Sequence, residues 1–169
     1  MKTETTKKLE HLLLCKFDPR KDFYVFECTI GWYGNEIVDC ICYNCNRETT
    51  CYEIKQSVSD FHSKSAVTFI GDKNYYVMPL EIYEKVKEEI PIDIGVYVAC
   101  NREFVTGKDE RGRTEYRCDI SPGFNELYCI KTCKKRLLRA DKEIILSSML
   151  RCACRDRRRQ ALFAYEAVD

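Results

Sequence analysis

Two periodicities run along this chain. Between residues 3 and 15, Leu9, Leu12 and Leu13 recur at helical spacing while Lys7, Lys8 and Glu10 fall on the other face, which predicts an amphipathic helix. Asp18-Pro19-Arg20 ends it. From Asp22 the strand formers Phe23, Tyr24, Val25, Phe26 and Ile30 take over, and Gly31-Trp32-Tyr33-Gly34-Asn35 supplies turn residues. A second strand-like run covers 36–43, Asn44-Cys45-Asn46-Arg47 signals another turn, and a third run begins at Thr49. These three predict a meander. Ser57-x-x-Asp60 then has the form of a capped helix start. Tyr75-Tyr76-Val77-Met78 reads as a short strand carrying core aromatics. Pro79 opens a helix with a stripe of Leu80, Ile82, Tyr83, Val86 and Ile90, closed by Pro91, and 94–100 is a continuous apolar strand. A short helix between two strands predicts a parallel crossover. Residues 101–120 predict a hairpin around a charged loop from Gly107 to Gly112. Residues 125–160 predict a C-terminal helical extension in which Leu137, Leu138, Ile144, Ile145, Met149 and Leu150 pack on the sheet.

Composition adds limits. A chain of 169 residues suits one domain, 1–169. Lys plus Arg is 28 against 27 for Asp plus Glu, so net charge does not point to an anionic partner. The distribution does: Arg151, Arg155, Arg157, Arg158 and Arg159 crowd one stretch. Such a run is commonly a solvated helix end, and it is also the footprint of a phosphate-binding surface. Lys131, Lys134, Lys135, Arg136 and Arg139 are placed to extend it. No stretch approaches the apolar length needed to cross a bilayer, and the N-terminal residues lack the features of a signal peptide, so a soluble cytoplasmic protein without a membrane partner is expected. Twelve cysteines then read as thiols rather than a disulfide framework. Cys40 and Cys42 fall on a strand and suit small buried positions. A zinc or iron–sulfur site through Cys129, Cys133, Cys152 and Cys154 is the minor alternative.

The third strand-like run carries the candidate chemistry. Glu53 and Lys55 stand two apart and so share one face of a strand, with Ile54 turned away. An acid-x-lysine triplet alone is ordinary surface pairing. Asp39, on the preceding run, would bring a second carboxylate if the two runs pair.

With the order helix, three-strand meander, helix, strand, helix, strand, Asp39 followed by Glu53-Ile54-Lys55 resembles the signature of the PD-(D/E)XK nuclease superfamily. Thirteen residues separate the two acids. Val38 stands where the signature has proline. The continuation from Lys55 to Phe61, with Asn74-Tyr75-Tyr76-Val77-Met78-Pro79, is similar to small bacterial and phage proteins assigned to DNA repair as nucleases.

The resemblance implies an α/β restriction-endonuclease-like core over residues 3–100, with a mixed sheet flanked by helices. It also implies DNA as partner, Mg²⁺ or Mn²⁺ as cofactor, and action as a homodimer. Asp39, Glu53 and the carbonyl of Ile54 would hold the metal, and Lys55 would orient the attacking water. Glu10 on the first helix would be an additional acid near the metal. Ser57, His62, Lys64, Arg155 and Arg158 are candidate DNA contacts, with helix capping as the plain reading of Ser57. The alternative reading is a nuclease fold that binds DNA or protein without cutting.

Overall fold

The structure is a computed structural model describing residues 2–32, 34, 36–63, 68–108, 114–119, 124–138 and 140–166. Of these, 102–108, 114–119 and 165–166 are described as backbone. Its contacts divide the chain into two compact units, each assembled from separated segments.

One unit comprises 1–17, 54–64 and 75–134. Helix α1 (Glu4–Leu14) starts at Thr3, whose side chain accepts the Thr6 amide, and buries Leu9 and Leu13. Ser57 caps the single turn α2 (Val58–Phe61) by accepting the Asp60 amide. Asp60 Oδ2 in turn accepts the Gln56 amide at 3.0 Å, so the cap is reciprocal. Strand β4 (Lys73–Pro79) enters this unit at Tyr75 and leads through α3 (Leu80–Val86) and a 3-10 turn (Lys87–Glu89) to β5 (Gly95–Lys108). β4 and β5 pair in parallel, as the crossover requires. Pro79 occupies the position just before α3. There its fixed φ is accommodated and its missing N–H costs nothing. β5 also pairs antiparallel with β6 (Thr114–Asp119) and β7 (Glu126–Lys131), so the sheet here is mixed. Val77, Met78, Val86, Ile94, Val96 and Val98 form the core with Leu9 and Leu13.

The other unit comprises 18–53, 65–74 and 135–169. Here β1 (Asp22–Thr29), β2 (Ile37–Asn44) and β3 (Thr49–Ile54, its last residue in the first unit) form an antiparallel meander. The β2–β3 turn is built by Asn44, whose Oδ1 accepts the amides of Asn46 and Glu48 at 3.0 and 3.1 Å. Arg47 takes φ 62° there. Helix α4 (Lys142–Glu166) packs on β1 through Ile145, Ser148, Met149 and Cys152. Ser148 Oγ accepts the Gly31 amide at 2.9 Å, and Arg151 donates to the carbonyls of Thr29 and Gly31 at 2.7 Å each.

The C-terminal third corrects the sequence reading. Residues 125–160 are not a continuous helical extension. Leu127, Tyr128, Cys129 and Ile130 suit a strand, and β5 offers them an edge. After β7 the chain stays irregular to 138. The Arg136 amide donates to Asp72 O at 2.8 Å and Lys135 pairs with Glu48 at 2.7 Å, so that stretch is held from its sides. Leu137 is consequently 92% exposed. On α4, Ile145 and Met149 pack as expected, while Ile144 and Leu150 face solvent. Lys64, Arg139, the loop 109–113 and Ser121-Pro122-Gly123 lie outside the described residues. No helix among those described is long and apolar enough to cross a membrane.

Candidate active site

The meander decides where the acids go. β2 and β3 pair with Cys40 opposite Tyr52 and Ile41 opposite Cys51. The recorded pairing ends at Cys40 and Tyr52; continued by one residue, it would bring Asp39 opposite Glu53. Directly opposed residues of an antiparallel pair project to the same face, with Cβ atoms about 5 Å apart. Val38, the partner of Cys28, projects to the other face. Cys28 is the residue beside Cys152 of α4, so the acids lie on the side of β2 turned away from that thiol pair. On β1, Glu27 lies between the Phe26–Cys40 and Cys28–Val38 pairs and takes φ 48°, a conformation rarely adopted by a residue with a side chain.

Burial distinguishes the two acids. Glu53 is 3% exposed, and its Oε1 accepts the Thr68 amide at 3.2 Å. Asp39 is half-buried. The Thr68 hydroxyl is buried and has no hydrogen-bond partner among the described residues. A carboxylate withdrawn from water is costly unless it is hydrogen-bonded and faces charge of opposite sign.

Two carboxylates and an unmatched threonine hydroxyl are hard oxygen donors. That is the set magnesium or manganese accepts while retaining several waters. No three His, Cys, Asp or Glu side chains among the described residues group so as to hold a metal. An ion at this place would rest on the two acids and complete its shell with water and neutral oxygens.

The remaining candidates are distributed as follows. Ile54 and Lys55 begin the segment assigned to the first unit. Lys55 is 4% exposed, and its amide donates to Val77 O at 2.9 Å, which runs the chain along β4. Glu10 pairs with Lys2 at 2.6 Å on α1. His62 is exposed and pairs with Glu89 at 2.8 Å. Ser57 Oγ accepts the Asp60 amide at 3.0 Å, which is the capping role.

The basic run divides. Arg151 stacks over Trp32 at 5.1 Å and straps α4 to β1. Arg155 pairs with Asp156 and approaches Glu27 O. Arg157, Arg158 and Arg159 face solvent. Lys131 donates to the carbonyls of Ile90 and Pro91 rather than extending a basic stripe. Sequence reasoning missed Thr68. Its signal is tertiary, since its amide reaches Glu53 across fifteen residues of chain.

No family model matches the chain, and no curated protein does. A solved structure shares the fold. It is the SPO1766 protein of unknown function from Silicibacter pomeroyi, 15% identical, with 98% of this chain and 96% of that one covered at a TM-score of 0.65. At that identity the likeness is one of architecture, and the site must be read from its own residues.

Proposed function

We propose that this protein is a metal-dependent nuclease that hydrolyses DNA phosphodiester bonds, with Asp39 and Glu53 at its reacting centre. The observation that supports this reading is the burial of Glu53, held by the Thr68 amide, on the strand paired with the one that carries Asp39, with Cys40 and Tyr52, their chain neighbours, directly opposed. A buried acid beside a second acid is unfavourable for stability alone, and such arrangements mark sites that bind cations.

Asp39 and Glu53 hold the cation, Mg²⁺ or Mn²⁺, in this proposal. When bound, that ion offsets charge on the scissile phosphate and lowers the pKa of coordinated water. The Thr68 amide fixes the Glu53 carboxylate, so no reorientation is needed as substrate arrives. Lys55, taken from its spacing to Glu53, supplies a compact cation to orient the nucleophilic water and to stabilise charge developing on the phosphate oxygens. The exposed arginines of α4 are available for sequence-independent phosphate contacts.

The test uses the full chain with magnesium or manganese and linear, nicked, branched and single-stranded DNA. Cleavage of at least one substrate is expected, with Asp39→Ala reducing it by at least about 100-fold while the circular dichroism spectrum is unchanged. Calorimetry should show divalent-ion binding that Asp39→Ala removes. All substrates remaining intact, or equal cleavage by the variant, refutes the proposal.

A further inference from the structure

A second cluster lies wholly within the first unit, on the face shared by β4, β5 and β7. Tyr97 on β5 pairs with Cys129 on β7, and Tyr75 on β4 pairs with Gly95 on β5. The rings of Tyr75 and Tyr97 meet at 5.0 Å. Gly95 has no side chain, and that gap is where Cys133 returns to the sheet. A Cβ on Gly95 would lie 2.8 Å from the Cys133 backbone nitrogen and closer still to the Tyr75 ring. Lys16 Nζ sits 5.9 Å from the Tyr97 ring centre. Two thiols and two phenols therefore converge, each thiol beside one phenol.

These thiols differ from the buried thiols of the chain. Cys28, Cys40, Cys42, Cys51, Cys100 and Cys152 are buried and behave as small apolar side chains. Cys129 is exposed and Cys133 half-exposed, so burial of apolar surface does not account for them. All four groups are weak acids facing one another. Burial, then contact with Cys133, pushes the Tyr75 phenol up. Burial, then the nearby Cys129, takes Tyr97 to about 12. Burial raises Cys129 as well, against opposing contributions from Tyr97 and Lys16.

We propose that Cys129, Cys133, Tyr97 and Tyr75 form a binding site for a thiophilic divalent cation, zinc being the type. The two thiolates are the soft ligands that zinc prefers, and the two phenol oxygens stand beside them to complete a shell of four donors. The site is chemically distinct from the oxygen-donor pair Asp39 and Glu53, and it holds or fails independently of the nuclease reading. Binding deprotonates the thiols and so releases protons, which makes affinity fall as pH falls.

The test titrates the reduced full chain with Zn²⁺ against a chromophoric chelator, and with Co²⁺ by absorbance. One ion per chain is expected, with thiolate-to-cobalt charge-transfer absorption corresponding to two sulfurs. The double variant Cys129→Ser/Cys133→Ser should lose at least about 100-fold in affinity, and Tyr97→Phe about 10-fold. A triple variant of the other exposed thiols, Cys15→Ser/Cys45→Ser/Cys154→Ser, should bind as the wild type does. Absence of charge-transfer absorption in the wild-type chain overturns the proposal without reference to any variant. So does retained binding in the double variant or its loss in the triple variant.

Discussion

Ile144 and Ile145 are chemically identical neighbours on α4, and the structure gives them opposite fates. Ile145 is 0% exposed and Ile144 is 45% exposed. Replacing Ile145 by alanine removes three carbons from the interface with β1. At about 0.8 kcal/mol for each buried methylene, the transfer loss is about 2.4 kcal/mol. The unfilled volume adds to it and brings the expected total to about 3–4 kcal/mol. Ile144→Ala should cost less than about 1 kcal/mol, because much of its side chain already meets water. For a chain of this size, 3 kcal/mol corresponds to a fall in Tm of about 10 °C.

Urea unfolding followed by circular dichroism measures both variants. The Ile145→Ala midpoint should drop at nearly constant m, while that of Ile144→Ala should stay close to wild type. Hydrogen exchange adds a local check, since weakened docking should deprotect α4 amides first. Equal losses in the two variants would mean that α4 presents a different face to β1, and would remove the basis for placing Cys152 beside Cys28.

Glu48 gives a pH prediction. Its carboxyl is bound by Lys135 and Lys73 at 2.7 Å each, and these contacts hold its pKa at about 2, below the ordinary 4.5. A depressed folded-state pKa contributes stability above the unfolded value, and that stability is lost as pH falls from about 4.5 to about 2. The lysines are partly exposed, so about 1 kcal/mol is expected. Glu48→Gln should narrow the difference in urea midpoint between pH 6 and pH 2.5, and high salt should weaken the wild-type effect. Gly95→Ala should destabilise by about 1–3 kcal/mol because the new methyl meets the backbone of Cys133, and a wild-type Tm would contradict that packing.

Much of the local structure was legible in the sequence because its causes are local. Leu9 and Leu13 repeat at helical spacing and are the buried residues of α1. Asn44 and its neighbours specify a tight turn through their own hydrogen bonds. Ser57 caps α2 with groups three residues away. The parallel crossover follows from a short helix flanked by two strands. β7 was not legible. Glu126–Lys131 has apolar residues that fit either period, and its pairing with β5 bridges Ala99 and Leu127. Likewise, Leu137 looks like a core residue until Arg136 and Lys135 hold its segment in an irregular path.

The candidate sites divide along the same line. Which residues could do chemistry was legible along the chain: two carboxylates and a lysine at strand-compatible spacing, and thiols in number. Strand alternation also gave the expectation that Glu53 and Lys55 share a face; β3 ends at Ile54, and Lys55 follows it. The rest followed from how distant segments assemble. Strand register is a contact between distant segments, so it alone sets Cys40, the neighbour of Asp39, opposite Tyr52, and Tyr97 opposite Cys129. Burial is likewise a property of assembled neighbours. It withdraws Glu53 from water and assigns its oxygen to an amide fifteen residues away.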